Sequence, residues 1–254
     1  MIKKNYISAI IPTFNEEVTI EKAIKSVSFA NEVLVIDSFS TDKTVEIARA
    51  LNVKVVQRKF DDFSSQKNYA LTQTTHDWIY ILDADERVTS ELKKEILQKV
   101  ENPEDYVGFY VYRTFYFLGK KLNYSGWQRD KVIRLFKKDN CKYDGKLVHE
   151  RIITEGKIGF LKNKLEHYSY RGYDHYINKL NHYSALKARS LYEQGKKVTL
   201  FHVLVKPPVR FIIHFIIRLG FLDGFPGFVI AAVQAYGVLT RYIKLWMLRN
   251  TKDN

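Results

Sequence analysis

The sequence predicts an α/β protein built on a mixed, mainly parallel sheet with helices on its faces. Short apolar runs alternate with helical patterns through the first hundred residues, which is typical of βαβ units around a parallel sheet. From about Tyr106 to His167 the pattern changes to aromatic and β-branched runs separated by glycines, which indicates antiparallel or mixed strands. The remaining C-terminal part is helical and strongly apolar, with breaks at Pro207-Pro208 and at Gly224–Gly227.

Four strands and four helices are predicted in the first half. The strands are Ile7–Ile11, Glu32–Asp37, Lys54–Gln57 and Trp78–Leu82. The first helix is indicated by apolar residues at i, i+3, i+4 and i+7, preceded by a capping-box pattern in Thr13–Glu16. Those apolar residues are Ile20, Ala23, Ile24 and Val27. The other helices are Thr41–Leu51, Ser64–Thr74 and Ser90–Val100.

The second half is predicted to hold short strands followed by one long helix. The strands are Val107–Tyr116, Val132–Phe136 and Val148–Ile153. The helix covers Asp174–Gln194 and ends at Gly195, a residue type that favours helix C-termini.

The C-terminal segment has the pattern of a helix that lies on a membrane surface. Arg210, His214 and Arg218 fall at i, i+4 and i+8 within the apolar run Phe201–Leu222, which places a narrow cationic stripe on an apolar helix. The charge-free run Gly224–Thr240 has 17 residues, at the lower limit of the roughly 17–25 that span a bilayer. A surface anchor is favoured, and a helical subdomain or dimer interface and a true span are the alternatives. The anchor places four basic residues at the headgroups: Arg241, Lys244, Arg249 and Lys252.

Composition restricts the class of protein and its partners. The chain of 254 residues has 41 Lys+Arg, 28 Asp+Glu, a net charge of +13 and 46% hydrophobic residues, which excludes disordered and collagen-like proteins. A charge this high favours an acidic partner: nucleic acid, an anionic membrane face or a phosphorylated substrate. The single cysteine, Cys141, excludes an internal disulfide and paired-thiolate metal sites. The apolar stretch Ile7–Ile11 is too short for a signal peptide, so we expect a cytosolic protein.

Acidic side chains follow three of the predicted parallel strands. Asp83-Ala84-Asp85 comes after the fourth strand, Pro12–Glu17 after the first and Asp37-Ser38 after the second. Ligands of α/β proteins bind at this carboxyl edge, where two aspartates at i and i+2 can share a cation or bind a cation and a ribose hydroxyl. Each cluster has an ordinary alternative, namely a surface turn for Asp83–Asp85 and helix caps for Asp37 and Glu16.

Four segments, in this order and spacing, carry a resemblance to a known family: Ser8–Glu17 (SAIIPTFNEE), Val33–Ser38 (VLVIDS), Ser64–Ala70 (SSQKNYA) and Leu82–Glu86 (LDADE). They resemble the inverting glycosyltransferases of family 2, which have the GT-A fold. Further motifs are similar to the bacterial branch that adds a glucose-type sugar to the inner core of lipopolysaccharide. These motifs are Trp127, Arg134–Phe136, Tyr143–Gly145 and Val148–Glu150.

The resemblance implies a UDP-sugar donor and a divalent metal ion, Mg²⁺ or Mn²⁺. Asp85 would bind the metal with Asp83 nearby, and His149 is a candidate third ligand whose alternative is a packing role. By similarity, uracil and ribose would be bound by Pro12, Thr13, Asn15, Glu16 and Asp37. Phosphate or sugar hydroxyls would be bound at the start of the third helix by Gln66, Lys67 and Asn68, although Lys67 could instead be a solvated helix charge.

Inversion needs a carboxylate that removes the proton of the acceptor hydroxyl. Glu150 in the His-Glu pair is the candidate base, with a surface glutamate as the alternative and with Asp130 and Asp144 as second choices. Arg134 would pair with the diphosphate or an acceptor phosphate, or alternatively form a salt bridge with a nearby carboxylate. Trp127 is expected either to stack on an acceptor sugar or to lie in the core.

The expected function is the transfer of a hexose, glucose from UDP-glucose, in β linkage to an inner-core sugar of a lipopolysaccharide or lipooligosaccharide anchored in the membrane. The catalytic domain is expected at 1–170, with a nucleotide-sugar half (1–100) and an acceptor half (101–170). A membrane-associating helical region is expected at 171–254 on the cytoplasmic face of the bacterial inner membrane. The alternatives are a polyprenyl-phosphate sugar transferase and a non-catalytic basic module that binds a membrane surface or nucleic acid.

Overall fold

The computed structural model describes residues 5–145, 152–169 and 172–250. The chain forms two compact units: unit 1 is Met1–Arg113 with Asp130–His167, and unit 2 is Thr114–Arg129 with Tyr168–Asn254. The division into a catalytic domain (1–170) and a membrane-associating region (171–254) stays a prediction.

The described residues form twelve strands and seven α-helices. The strands are β1 (Ile7–Thr13), β2 (Glu32–Asp37), β3 (Lys54–Gln57), β4 (Trp78–Ile81), β5 (Glu86–Arg87), β6 (Tyr106–Phe117), β7 (Lys120–Lys121), β8 (Lys131–Lys137), β9 (Cys141–Tyr143), β10 (Ile152–Thr154), β11 (Lys157–Phe160) and β12 (Leu165–His167). The α-helices are α1 (Ile20–Ser26), α2 (Thr44–Ala50), α3 (Phe63–Thr72), α4 (Ser90–Glu101), α5 (Tyr173–Glu193), α6 (Lys206–Ile212) and α7 (Phe225–Asn250). Shorter turns are 3₁₀ (Trp127–Arg129, Lys138–Asn140, Gly220–Asp223) or π-helical (Phe201–Val205, Ile213–Ile217).

The sheet of unit 1 is mixed and mainly parallel, which confirms the predicted fold class. Its central strands lie in the order β3-β2-β1-β4-β8-β6. β1 pairs in parallel with β2 and β4, and β2 pairs in parallel with β3. β8 runs antiparallel to both β4 and β6, as the change of pattern after Tyr106 predicts. The carboxyl ends of β1, β2 and β4 therefore share one edge of the sheet.

Alternate residues of each parallel strand enter different cores on the two faces of this sheet. Ile7, Ala9 and Ile11 of β1 pack with residues of α1 and α4, whereas Ile10 packs with residues of β2, β4 and α3. Because both faces are covered, the strands are continuously apolar rather than alternating. β1 and β4 have no exposed residues, and the exposed residues of β3 and β8 lie at the strand ends.

Two details of the first half differ from the prediction. The capping-box interpretation of Thr13–Glu16 is wrong, because Thr13 ends β1 and α1 begins only at Ile20. The second helix begins at Thr44 rather than Thr41, because the backbone N–H of Thr41 donates to the side chain of Asn15 in the loop after β1. The other predicted strands and helices of this half agree with the structure to within two residues at each end. Both differences place loop residues, not helix, at the edge where the strands end.

The predicted strand Val148–Ile153 falls only partly within the described residues. Ile152 and Ile153 belong to β10, which pairs antiparallel with β9. The remainder of that prediction lies outside the described residues.

Unit 2 is dominated by the helices α5 and α7. Gly237 of α7 lies against Leu180 of α5 so closely that an added Cβ would be 2.8 Å from Leu180 Cδ1. The hydroxyl of Ser184 donates to the carbonyl of Gly237 at 3.1 Å, and Gln234 Nε2 donates to the hydroxyl of Tyr176 at 2.9 Å. The absence of a side chain at Gly237 thus permits the close approach of α5 and α7. By length and composition alone, α7 is the one helix among the described residues that could cross a membrane, and 39% of its most apolar window is buried.

The cationic stripe predicted for the segment before α7 contains two members rather than three. His214 is only 4% exposed, and its Nδ1 lies 2.9 Å from the carbonyl oxygen of Ser125. Burial first, and the nearby charge of Arg218 second, lower the pKa of His214 to about 4, so the ring is neutral at pH 7. The prediction that His214 belongs to the cationic stripe is therefore wrong.

Candidate active site at the carboxyl edge of the sheet

The loops after β1 and β2 are joined to each other by side chains. Asn15 has a left-handed backbone (φ 54°), its N–H donates to Ser40 Oγ at 2.9 Å, and its side-chain oxygen accepts from the N–H of Thr41 at 2.8 Å. The N–H of Glu16 donates to Thr44 Oγ1 at 2.7 Å. Pro12 pairs opposite Ile36 at the end of the β1–β2 ladder. The predicted uracil and ribose residues Pro12–Glu16 thus belong to one connected pair of loops.

Asp37, at the end of β2, is fully buried and holds these loops in place. Its carboxylate accepts hydrogen bonds from Ser40 N (3.0 Å), Ser40 Oγ (2.5 Å), Gln57 Nε2 (3.0 Å) and Thr13 Oγ1 (3.4 Å). These donors come from the chain itself, so in this structure Asp37 orders the loop that follows β2. The position is the one predicted, and the contacts are those of a residue that shapes the site.

Helix α3 brings the predicted residues Gln66, Lys67 and Asn68 to the same edge of the sheet. Asp62 caps the helix by accepting from the N–H of Ser65 at 2.8 Å. Gln66 is 3% exposed and donates to Ser38 Oγ at 2.9 Å. Asn68 makes a two-way contact with the backbone of Tyr143, donating to its oxygen at 3.1 Å and accepting from its nitrogen at 2.9 Å. Gln66 and Asn68 therefore fix neighbouring segments of the edge.

Lys67 is buried rather than solvated, which excludes the alternative of a solvated helix charge. Its side chain is 7% exposed, and Nζ lies 5.2 Å from the ring centroid of Tyr143. The charge of Lys67 also acts on Asp83, where it helps to lower the pKa of the carboxyl group. A lysine in this position supplies positive charge to the inside of the site.

The centre of the site is an ion network that joins Asp83, Glu86 and Arg134. Arg134 Nη2 contacts the carboxylates of both Asp83 and Glu86, the latter at 2.7 Å. Glu86 is fully buried, and its other oxygen accepts from the backbone N–H of Asp83 at 3.1 Å. Arg113 adds a second guanidinium group 3.3 Å from Glu86 and forms an ion pair with Asp130, in which its Nε and Nη2 both contact Oδ2. The salt-bridge alternative for Arg134 is therefore the arrangement in this structure.

Mutual attraction stabilises the ionised forms of Asp83 and Arg134. Burial alone would raise the pKa of Asp83, but the charges of Arg134, Lys67 and Arg113 together hold it well below its usual range. Burial opposes the charge of Arg134 as well, yet Asp83 and Glu86 raise the pKa of its guanidinium group above the ordinary value. Arg134 Nε is buried and has no hydrogen-bond partner, so one donor of the guanidinium group remains available for a further acceptor.

Asp85 lies beside a histidine that the sequence analysis did not select. Asp85 Oδ2 and His167 Nε2 are 3.3 Å apart, and the two side chains are 23% and 10% exposed. His167 ends β12, which pairs antiparallel with β5 directly after the Asp83–Asp85 turn. Among the described residues no group of three or more His, Cys, Asp or Glu side chains forms a metal site. Asp85 and His167 nevertheless supply one oxygen and one nitrogen donor that Mn²⁺ or Mg²⁺ could use.

Two predicted residues, the base Glu150 and the metal ligand His149, lie outside the described residues. Of the second choices for the base, Asp130 is held by Arg113, whose Nε donates to Oδ2 at 2.5 Å. Nη2 of Arg113 contacts the same oxygen, so two guanidinium donors already occupy Oδ2 of Asp130. The other second choice, Asp144, follows β9, whose last residue Tyr143 is bound by Asn68.

The arrangement defines a class of protein. Acidic and basic side chains meet at the carboxyl ends of parallel strands, where a cation and a phosphorylated ligand can be bound together. The chain belongs to glycosyltransferase family 2, whose family model ("Glycosyl transferase family 2") matches residues 8–156. The mixed sheet flanked by helices is the GT-A fold that this family membership implies.

Individual relatives extend over almost the whole chain. An uncharacterised glycosyltransferase of Rickettsia typhi is 32% identical over 251 residues, which covers 94% of this chain and 86% of that protein. The lipopolysaccharide core biosynthesis glycosyltransferase LpsC of Rhizobium meliloti is 29% identical over 256 residues, which covers 95% of each chain. The glucosyl-3-phosphoglycerate synthase of Mycobacterium tuberculosis, solved with Mn²⁺, UDP and glucosyl-3-phosphoglycerate, has 25% identity and a TM-score of 0.38. That overlap covers 44% of each chain.

Proposed function

We propose that the protein transfers glucose from UDP-glucose, with inversion and therefore in β linkage, to an inner-core sugar of a membrane-anchored lipopolysaccharide or lipooligosaccharide. The observation that carries the proposal is the pair Asp85–His167, at 3.3 Å, beside the network of Asp83, Glu86 and Arg134 in a chain of family 2. The similarity to LpsC over 95% of both chains supports the class of acceptor.

The donor would be bound along the carboxyl edge of the sheet. The connected loops of Pro12–Glu16 and Asp37–Thr44 would hold uracil and ribose, since Asp37 and Asn15 fix their shape. Lys67 and Arg134 supply buried positive charge beside Asp83 for the diphosphate. Arg134 Nε is the donor that still lacks an acceptor. A diphosphate oxygen is the kind of acceptor that would satisfy it.

The residues present fit a divalent ion. Asp85 and His167 would hold it, and Asp83 would lie nearby but remain paired with Arg134. When bound, Mn²⁺ or Mg²⁺ supplies positive charge that stabilises the departing UDP. The role of His149 as a further ligand stays a proposal.

The acceptor hydroxyl must lose a proton as its oxygen attacks the anomeric carbon opposite the UDP group. Glu150 is the proposed base, on the strength of the His-Glu motif in the sequence. The ion pair between Asp130 and Arg113 supports this choice, because two guanidinium donors already occupy Oδ2 of Asp130.

Unit 2 supports a peripheral location on the anionic cytoplasmic face of the inner membrane. Its described residues include fourteen lysines and arginines and three acidic residues, a net charge of +11. The same unit exposes large apolar side chains along one stretch, for example Leu204 (65%), Ile212 (48%) and Ile216 (51%). Basic charge combined with exposed apolar surface is typical of proteins that lie on an anionic membrane.

The test is transfer of labelled glucose from UDP-glucose to purified truncated lipooligosaccharide acceptors, with NMR of the product to assign its anomeric configuration. We expect a β-glucoside on a core sugar, dependent on Mn²⁺ or Mg²⁺ and lost in Asp85→Asn. The exposed Asp105→Asn is the matched control and should keep full activity, since Asp105 pairs only with the exposed Lys157. An α-linked product, or glucose attached to a polyprenyl phosphate, would contradict the proposal.

A further inference from the structure

The C-terminal part of unit 2 has a large excess of positive charge. Between Gln194 and Asn250 there are eight lysines and arginines and one acidic residue, Asp223. Asp223 is 4% exposed and accepts the backbone N–H groups of Asn123 at 2.9 Å and Tyr124 at 3.0 Å. Its two oxygens are thus bound to backbone rather than to a cation, so this segment has no carboxylate left to balance its arginines.

Five of these eight cations belong to α6 and α7, and three of the five are Lys206, Arg210 and Arg241. Lys206 of α6 donates to the hydroxyl of Tyr242 of α7 at 2.7 Å, and its Nζ lies 4.9 Å from the centroid of that ring. Arg210 is one turn further along α6, and Arg241 directly precedes Tyr242 on α7. Both arginines are half-buried.

The guanidinium group of Arg241 has a buried donor without an acceptor. Its Nε is buried and has no hydrogen-bond partner. Within the described part of the chain neither Arg210 nor Arg241 makes a salt bridge, because Glu193 pairs with Arg189 and Asp223 is bound to backbone. Burial first, and the charge of Arg210 as well, lower the pKa of Arg241, while Tyr242 acts in the opposite direction. Two like charges and an unsatisfied buried donor are unfavourable together unless an anion binds between them.

We infer that Arg210 and Arg241 form a binding site for a phosphate group. A phosphate offers several acceptor oxygens in the geometry that a guanidinium fork matches, and it would satisfy Arg241 Nε and neutralise both charges. Val209 and Ile212, which flank Arg210 on α6, are 45% and 48% exposed, so an acyl chain attached to the phosphate would meet apolar surface. A lipid phosphomonoester therefore fits the site better than free phosphate. The site is independent of the donor chemistry in unit 1.

The experiment measures binding of the full chain to two sources of phosphate. One arm uses phosphatidylcholine vesicles with phosphatidic acid, compared with vesicles of equal surface charge containing phosphatidylserine. The other arm uses inorganic phosphate alone, followed by calorimetry. The variants are R210Q/R241Q, which removes the site, and K187Q/K197Q, which removes the same number of charges from exposed positions of unit 2. A third variant, R210K/R241K, keeps the charges and removes the planar forks.

We expect the wild type to prefer phosphatidic acid over phosphatidylserine, and R210Q/R241Q to lose about tenfold or more in affinity while K187Q/K197Q loses far less. R210K/R241K should bind both vesicles equally, since charge without the fork does not distinguish a phosphomonoester. Specific loss in the vesicle arm alone identifies a lipid phosphate, and specific loss in the inorganic arm identifies a soluble one. If R210Q/R241Q and K187Q/K197Q behave alike in both arms, with circular dichroism showing intact helices, the site does not exist.

Discussion

The ion network around Glu86 makes a sharp prediction about stability. Glu86 is fully buried, and its carboxylate faces Arg134 Nη2 at 2.7 Å, Arg113 Nη1 at 3.3 Å and the backbone N–H of Asp83 at 3.1 Å. Glu86→Gln preserves the shape and one acceptor oxygen but removes the charge. Its new amide group would place N–H donors opposite donors that the carboxylate now satisfies.

The magnitude follows from burial. Removing one partner of a buried ion pair costs about 3–5 kcal/mol, and we expect the lower end, about 3 kcal/mol, because glutamine keeps one acceptor. For a chain of this size that corresponds to a decrease in Tm of about 6–12 °C. The protein should remain folded at 25 °C, since this loss is smaller than a typical free energy of unfolding of about 5–15 kcal/mol.

Thermal unfolding of Glu86→Gln, Arg134→Met and the double variant measures the effect. Glu101→Gln, an exposed residue at the end of α4, is the control and should change the free energy of unfolding by less than about 0.5 kcal/mol. The double-mutant cycle should give a coupling energy above about 1 kcal/mol. If Glu86→Gln unfolds at the wild-type temperature, the network does not hold the site together.

Three further predictions concern unit 2. The pKa of His214 is about 4 in the folded protein and 6.5 ordinarily, so between these pH values the unfolded chain binds more protons. As the pH falls from 6.5 to 4, the free energy of unfolding of the wild type, measured with denaturant, should decrease by up to about 3 kcal/mol more than that of H214Q. Parallel pH dependences of the two proteins would contradict the burial argument. Asp223→Asn should destabilise unit 2 by about 1–3 kcal/mol, because one of the two backbone N–H groups bound by Asp223 loses its acceptor. The control Glu193→Gln, at an exposed position, should not destabilise it, and equal melting temperatures of Asp223→Asn and the wild type would refute the role of Asp223. The double variant Leu204→Glu/Ile216→Glu should bind anionic vesicles with about tenfold or more lower affinity in a flotation assay, whereas Leu97→Glu on unit 1 should not. Unchanged flotation of the double variant would exclude the exposed apolar residues around Leu204 and Ile216 as the membrane contact.

The sheet could be predicted from the sequence because both of its faces are buried. Each central strand is a short, continuous apolar run with a polar residue at its end, so β2 and β3 agree with the predicted bounds at both ends. The same pattern placed Asp37 and Asp83 at one edge of the sheet, where the structure has them. Periodicity and topology were sufficient for this part.

Partners that depend on tertiary structure could not be predicted. His167 approaches Asp85 only because β12 pairs with β5, and 82 residues separate the two in sequence. The burial of Lys67 and His214 depends on residues that are distant in sequence. Tyr143 lies against Lys67, and Ser125 contacts His214. Glu86 was within the family motif, but its function as the centre of a three-way network appears only when Arg113 and Arg134 come from other strands.

The capping-box prediction for Thr13–Glu16 was wrong for a local reason. The pattern Thr13–Glu16 matches the spacing of a helix start, but Thr13 completes the ladder with β2 and its hydroxyl turns to Asp37. The loop residues that follow are held by Ser40 and Thr44 of the neighbouring loop, which delays the helix to Ile20. A site that needs loops at the strand ends thus overrides the local helix signal.

The most direct test of the central claim is calorimetric binding of UDP and UDP-glucose, with and without Mn²⁺, to the wild type, Asp85→Asn and Asp105→Asn. We expect binding that requires the metal, is lost in Asp85→Asn and is unchanged in Asp105→Asn, with UDP-glucose preferred over other UDP-sugars. Absence of binding by folded wild-type protein at any metal concentration, or equal binding by Asp85→Asn, would contradict a UDP-sugar site at this edge of the sheet.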